Sequence, residues 1–336
     1  MNYDKLINRT LAEIKPSGIR KFFDIAAEME EVISLSVGEP DFATPWHIRQ
    51  EGIKTLEKGR TWYSPNAGLL KLREAIGGYL HRRFDLSYDP KTEILVTVGG
   101  SEAIDLALRA CVERGDEVLI PDPAYVSHSP LVLMSDGVPV HVECLERDNF
   151  VLKPEYLEKA ITPKTKAIIL NSPNNPTGVI LNEESLAAVK EAVLGKDIFL
   201  ICDHVYGSLC EKEVPDLTKD HQLQDQRILC QSFSKPWAMT GWRIGYLVCP
   251  EYVMERLLLL SAATIAAVPT FLQEAAITAL ATNPAPMVDI YRKRREYVCK
   301  RLDEMGLSYP VPEGAFYVFA DIRKFGLDSG TFCTRM

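Results

Sequence analysis

Four short blocks of this 336-residue chain hold five side chains of complementary chemistry. Asn171-Ser172-Pro173-Asn174-Asn175-Pro176-Thr177-Gly178 supplies an amide at Asn175. Ile201-Cys202-Asp203-His204-Val205-Tyr206 supplies a carboxylate, Asp203, and three residues later a phenol, Tyr206. Ser232-Phe233-Ser234-Lys235 supplies an amine among hydroxyls, and Thr240-Gly241-Trp242-Arg243-Ile244-Gly245 a guanidinium eight residues after it. An amine can condense with an aldehyde to a Schiff base. A carboxylate can hold a proton on a pyridine nitrogen, and a guanidinium can grip a phosphate. Together these groups suit an aldehyde cofactor that carries both a phosphate and a pyridine ring.

Each block has its own physical logic. A lysine with an ordinary pKa is protonated and a poor nucleophile, so a restricted environment and the nearby Arg243 must disfavour its charge. A surface lysine would need neither the flanking serines nor Gly241-Trp242-Arg243. Asp203 closes a predicted strand, where α/β sheets place ligands, although a helix N-cap would also use an aspartate there. Asn-Pro-Thr-Gly is a turn in its own right, and that turn positions the Asn175 amide. Val98-Gly99-Gly100-Ser101 links a predicted strand to a helix. Glycines permit close backbone approach, and free N–H groups at a helix start favour an anion. A phosphate cup is therefore expected from Gly100 and Ser101, joined by Ser234 and by Arg243 as a bidentate fork.

With the four blocks in this order, the chain resembles the pyridoxal-phosphate-dependent aminotransferases of fold type I, class I branch, from about Ile19 to its end. It is most similar to prokaryotic aspartate and aromatic amino acid aminotransferases. The resemblance implies that Lys235 holds the cofactor as a Schiff base and then moves a proton between the substrate Cα and C4′. It implies Asp203 on the pyridine nitrogen, and Tyr206 and Asn175 on the 3′ oxygen. Tyr125, in Pro121-Asp122-Pro123-Ala124-Tyr125, would stack on the ring. Gly100, Ser101, Ser232, Ser234 and Arg243 would surround the phosphate. Gly38, in Ser36-Val37-Gly38-Glu39-Pro40-Asp41, and Asn175 would meet the substrate. Tyr63, in Trp62-Tyr63-Ser64-Pro65, would reach the neighbouring subunit's cofactor, which implies a homodimer with shared sites. His204 departs from the acidic residue often found there and is expected to face elsewhere.

The implied reaction moves an amino group from an L-amino acid (aromatic, aspartate or broad) to a 2-oxo acid, with 2-oxoglutarate expected. Ile19-Arg20-Lys21-Phe22-Phe23-Asp24-Ile25 resembles broad or aromatic-preferring members, and Ser101 replaces a lysine that reads the distal carboxylate in some aspartate-specific ones. A C–S lyase or synthase on the same fold would use the same cofactor residues. A non-catalytic regulatory module is the reading from another class, but such proteins carry an N-terminal DNA-binding domain, and this chain has no room for one ahead of Gly38. Relatives continue past the position of Met336 to an arginine that binds the substrate α-carboxylate. Arg335 lies too early to match it, so a C-terminal truncation or an unusual ending is expected.

The elements that must position these groups can be read from periodicity. Strands are expected at Glu93–Val98, Glu117–Ile120, Val138–Cys144, Lys166–Leu170, Ile198–Cys202, Ile228–Ser232 and Ile244–Cys249. Helices are expected at Ser101–Arg114, Pro154–Ile161 and Glu183–Leu194. This alternation predicts an α/β fold with a mostly parallel sheet, to which the resemblance adds an antiparallel Ile244–Cys249. Residues 46–275 are read as the large cofactor-binding domain. Residues 1–45 and 276–336 are read as a smaller α+β domain, incomplete at its C-terminus. Thr270 to Met305 reads as one long connecting helix, and Leu257–Ala263 as a buried helical segment.

A net charge of −8 argues against a nucleic-acid surface, and Arg292-Lys293-Arg294-Arg295 reads as a solvated helix face. The eight cysteines form no Cys-x-x-Cys pair and suit reduced, buried thiols. The six histidines show no metal-ligand spacing, so no metal is expected. Met1-Asn2-Tyr3-Asp4-Lys5 begins no apolar signal segment, and a cytoplasmic protein is expected.

Overall fold

Several central segments are apolar at every position, a pattern that suits strands covered on both faces. The computed structural model describes residues 6–15, 18, 22, 28, 35, 38–210 and 215–336. Its strands are β1 (Ile94–Thr97), β2 (Glu117–Asp122), β3 (Val138–Glu143), β4 (Thr165–Asn171), β5 (Phe199–Asp203), β6 (Arg227–Ser232) and β7 (Gly245–Val248). They form one sheet in the order β1-β7-β6-β5-β4-β2-β3. The pairs β2–β3, β2–β4, β4–β5 and β5–β6 are parallel. β7 is antiparallel to both β1 and β6, as expected for that segment.

Successive side chains of a strand point to opposite faces. Leu95, Ala167, Ile169, Ile201, Ile228, Cys230 and Leu247 enter one core, with the helices Gly99–Cys111 and Glu251–Thr264. Ile94, Val96, Ile168, Leu170, Leu200, Cys202, Leu229 and Val248 enter the other, with the helices Leu70–Phe84, Glu183–Val193 and Thr270–Leu280. Fully burying one such side chain is worth about 1.5–3 kcal/mol, so the two cores hold the sheet in place. A smaller cluster joins Tyr206, Leu209, Val288 and Ala315 and ties the loop after β5 to the helix Ala285–Glu304.

The structure corrects three expectations. The long helix at Thr270–Met305 is two helices, Thr270–Leu280 and Ala285–Glu304. Residues 281–284 separate them, because Pro284 disfavours helical backbone at Asn283. The Leu257–Ala263 segment is buried on one face only: Leu257 is buried, but Leu259 is 66% exposed. The eight cysteines are not all buried either: Cys299 is half-buried and Cys333 exposed. The basic run does lie on a solvated helix face, with Lys293 and Arg294 exposed. Arg294 forks onto Asp41 at 2.7 and 3.0 Å, and its guanidinium lies 5.2 Å from the Phe42 ring centre. Met1–Lys5, Ser36, Val37 and Arg20, with all of Ile19–Ile25 except Phe22, lie outside the described residues.

Candidate active site

The parallel strands all end on one edge of the sheet, and the predicted groups follow those ends. β1 runs into Gly100 and Ser101, β2 into Tyr125, β4 into Asn175, β5 ends at Asp203 and leads to Tyr206, and β6 ends at Ser232 and leads to Ser234 and Lys235. Because β7 is antiparallel, its first residue, Gly245, pairs with Thr97 and Ser232 at that same edge. Arg243, two residues before Gly245, is thereby delivered beside them. Gly38, Gly100, Ser101, Tyr125, Asn175, Asp203, Tyr206, Ser232, Ser234, Lys235 and Arg243 line one cavity of about 860 Å³. Ligands of open α/β sheets bind at this edge for the same topological reason.

Asp203 is the buried anion of the cavity, only 5% exposed. Its Oδ2 lies 3.1 Å from Nε2 of the buried His128, and its Oδ1 accepts from the Val205 N–H at 3.4 Å. The Asn171 amide donates to its backbone carbonyl at 3.1 Å. Sequence reasoning passed over His128. The signal was its place three residues after Tyr125, where the start of the helix His128–Met134 turns it back under that ring (5.4 Å, 86°).

Lys235 is partly buried, and its ammonium donates to the Gly38 carbonyl. Burial is the main influence and disfavours its charge. Arg243 adds to that, Glu39 and Asp203 oppose it, and the pKa falls to about 8. This amine therefore gives up its proton more readily than an ordinary lysine. Phe316 faces the ammonium at 5.6 Å.

Another part of the cavity is built to receive an anion. The helix Gly99–Cys111 begins without a side-chain cap, which leaves its first backbone N–H groups for a ligand. Gly99 has φ +79°, and a Cβ there would lie 2.5 Å from a terminal nitrogen of Arg243. Only glycine lets the guanidinium approach this closely. Ser232 and Ser234 are buried, with their hydroxyls 2.9 Å apart. Arg243 is anchored by donating to the Thr240 carbonyl at 3.0 Å.

The remaining groups sit between these ends. The Asn175 N–H donates to the Asn171 side chain at 2.7 Å, which fixes the turn carrying the Asn175 amide. The Tyr206 hydroxyl lies 2.6 Å from that of Tyr317, a second residue passed over although its block Gly314-Ala315-Phe316-Tyr317 stands out in the sequence. His204 faces away from the cavity, with Nε2 3.1 Å from Asp216 and Nδ1 2.9 Å from the Gln231 amide. Tyr63 does not line the cavity and is 85% exposed.

A family model described as aminotransferase class I and II matches residues 30–328. The chain belongs to this aminotransferase family. It is 40% identical to aromatic-amino-acid aminotransferase 2 of Thermococcus litoralis, over 97% of this chain and 86% of that protein. It is 41% identical to the aspartate aminotransferase of Pyrococcus abyssi, over 96% of this chain and 85% of that one. The solved aspartate aminotransferase of Thermotoga maritima superposes with a TM-score of 0.93 at 34% identity, covering 98% of this chain and 88% of that one.

The enzyme is thus an aminotransferase, and class I aminotransferases use pyridoxal phosphate. The donor set of the cavity fits that group. An uncapped helix start, two buried hydroxyls and a guanidinium suit the phosphate. A buried carboxylate suits a protonated pyridine nitrogen, and an amine of lowered pKa suits the aldehyde.

Proposed function

We propose that the enzyme moves the amino group of an L-amino acid, aromatic or acidic, to a 2-oxo acid such as 2-oxoglutarate, with Lys235 as the reacting amine. The observation that carries this reading is the convergence on one cavity of an amine of lowered pKa, a buried carboxylate and an anion cup. When bound, the cofactor supplies an aldehyde and an electron-withdrawing ring. Asp203, oriented by His128 and the Val205 N–H, keeps a proton on the ring nitrogen. Tyr206 and Asn175 would supply hydrogen-bond donors to the ring oxygen, and Tyr125 an aromatic surface for the ring. Gly100, Ser101, Ser232, Ser234 and Arg243 hold the phosphate. The Lys235 amine would serve as the base that moves the proton of the substrate carbon bearing the amino group. Gly38 and Asn175 bound the substrate's place.

The exposure of Tyr63 outside its own chain's cavity supports a homodimer in which it completes the neighbour's site. Mixing Lys235→Ala and Tyr63→Ala chains should then restore activity in the hybrid; no recovery after subunit exchange would count against sharing. Residues 46–275 serve as the cofactor-binding domain in this reading. The burial of six of the eight cysteines supports a reducing, cytoplasmic setting.

The test is a single-turnover reaction of the holoenzyme with one amino acid at a time. Aromatic donors and aspartate should each yield the 2-oxo acid of unchanged carbon skeleton and leave the amino group on the enzyme. Release of ammonia or of a cleaved fragment would replace transfer by a lyase reaction.

A further inference from the structure

Tyr317 enters the cavity from 111 residues beyond Tyr206 in the chain, and the two hydroxyl oxygens lie 2.6 Å apart. At that separation one phenol donates and the other accepts, and the acceptor's own proton is left to point elsewhere. Both groups keep their protons at neutral pH: burial pushes Tyr206 well above an ordinary phenol and Tyr317 up to about 12. The rings meet edge to face at 5.5 Å, and Phe316 packs on both, so Tyr317 is held by contacts that do not need its hydroxyl. A methyl group at Gly38 would lie 2.4 Å from the Tyr317 oxygen. The Gly38 loop thus leaves space for this one atom.

We propose that Tyr317 is a positioning residue whose O–H donates to the Tyr206 oxygen and turns the Tyr206 proton toward the cofactor's ring oxygen. This rests on the reading of Tyr206 as the donor to that oxygen. The opposite polarity would spend the Tyr206 proton on Tyr317 and present only lone pairs to an electron-rich oxygen. In the proposed polarity, a hydroxyl that accepts one hydrogen bond donates the next more strongly. Tyr317 therefore acts on the cofactor's ring through Tyr206.

The test follows the pH midpoint of the visible absorbance change of the pyridoxal-phosphate holoenzyme, with cofactor content and Tm as controls. Tyr317→Phe keeps the ring and removes one oxygen. A weaker Tyr206 donor leaves the ring oxygen holding its neighbouring proton more tightly, so the midpoint should rise by roughly 0.2–0.6 unit. Tyr206→Phe should raise it further, and the double variant no further than Tyr206→Phe alone. Gly38→Ala, which crowds the Tyr317 oxygen without removing it, should also raise the midpoint. An unmoved or lowered midpoint in Tyr317→Phe or Gly38→Ala overturns the role of Tyr317, as does an additive double variant. An unmoved midpoint in Tyr206→Phe overturns the underlying reading of Tyr206, and this proposal with it.

Discussion

The floor of the cavity and its rim are made differently. Asp203, Ser232 and Ser234 stand at or just past the ends of β5 and β6, each 5% exposed, on strands packed on both faces. The rim is built from Ile14, Lys15, Val126 and Phe319, which come from distant parts of the chain, and of these Val126 is 54% and Phe319 39% exposed. A buried floor suits a group that stays through every turnover. An exposed rim of mixed charge and apolar character suits substrates that come, go and differ. Substitutions in the floor should therefore act alike on all donors, and those in the rim should change one donor against another.

The largest effect expected from the floor is that of Asp203→Asn. An amide cannot hold the ring proton by charge, so the single-turnover rate should fall about 10²-fold or more for aromatic and acidic donors alike, with cofactor retained. A rate near that of the parent enzyme, or a loss confined to one donor class, would break the distinction. Arg243→Lys replaces a fork by a point charge. Cofactor affinity, measured by equilibrium titration of the apoenzyme, should weaken roughly 10- to 100-fold, since hydrogen bonds to charged groups are worth about 1.5–3 kcal/mol.

At the rim, Phe319→Ala should raise KM for aromatic donors roughly 5- to 10-fold and leave aspartate and cofactor affinity nearly unchanged. Equal losses for both donors would assign Phe319 to the floor's behaviour. The smallest effect is thermal. Burial lowers the Lys235 pKa from 10.5 to about 8 in the folded apoenzyme, so between these values the unfolded chain binds more protons and stability rises with pH. Below about 8 the whole penalty of the buried ammonium is present. Apo Lys235→Met should then melt roughly 3 °C above the parent at pH 7, and the difference should close as pH rises through that window. A variant that melts at or below the parent at pH 7 would remove the penalty from the account.

Legibility in the sequence divides along the same line. The strands could be placed because burial on both faces writes them as continuous apolar runs, and the floor residues follow them within a few positions. Asp203, Ser232 and Lys235 needed no knowledge of distant contacts. His128 and Tyr317 did. His128 is a lone histidine at the start of a short helix, and nothing in its neighbourhood announces a carboxylate 75 residues away. Tyr317 reads as one aromatic in an apolar block, and its meaning lies in the oxygen it meets from β5's loop. The break between the helices ending at Leu280 and starting at Ala285 was legible in Asn283-Pro284-Ala285-Pro286 and was overrun by the apolar periodicity on either side.

Everything proposed for this site depends on the amine of Lys235, and no other, reacting with the cofactor's aldehyde. Borohydride treatment of the holoenzyme followed by peptide mass spectrometry tests it directly. The reduced cofactor's mass should appear on the peptide that contains Ser234-Lys235-Pro236, in near-stoichiometric amount, and be missing in Lys235→Ala. Label on another lysine, or an unlabelled Lys235 peptide with cofactor in excess, would contradict it.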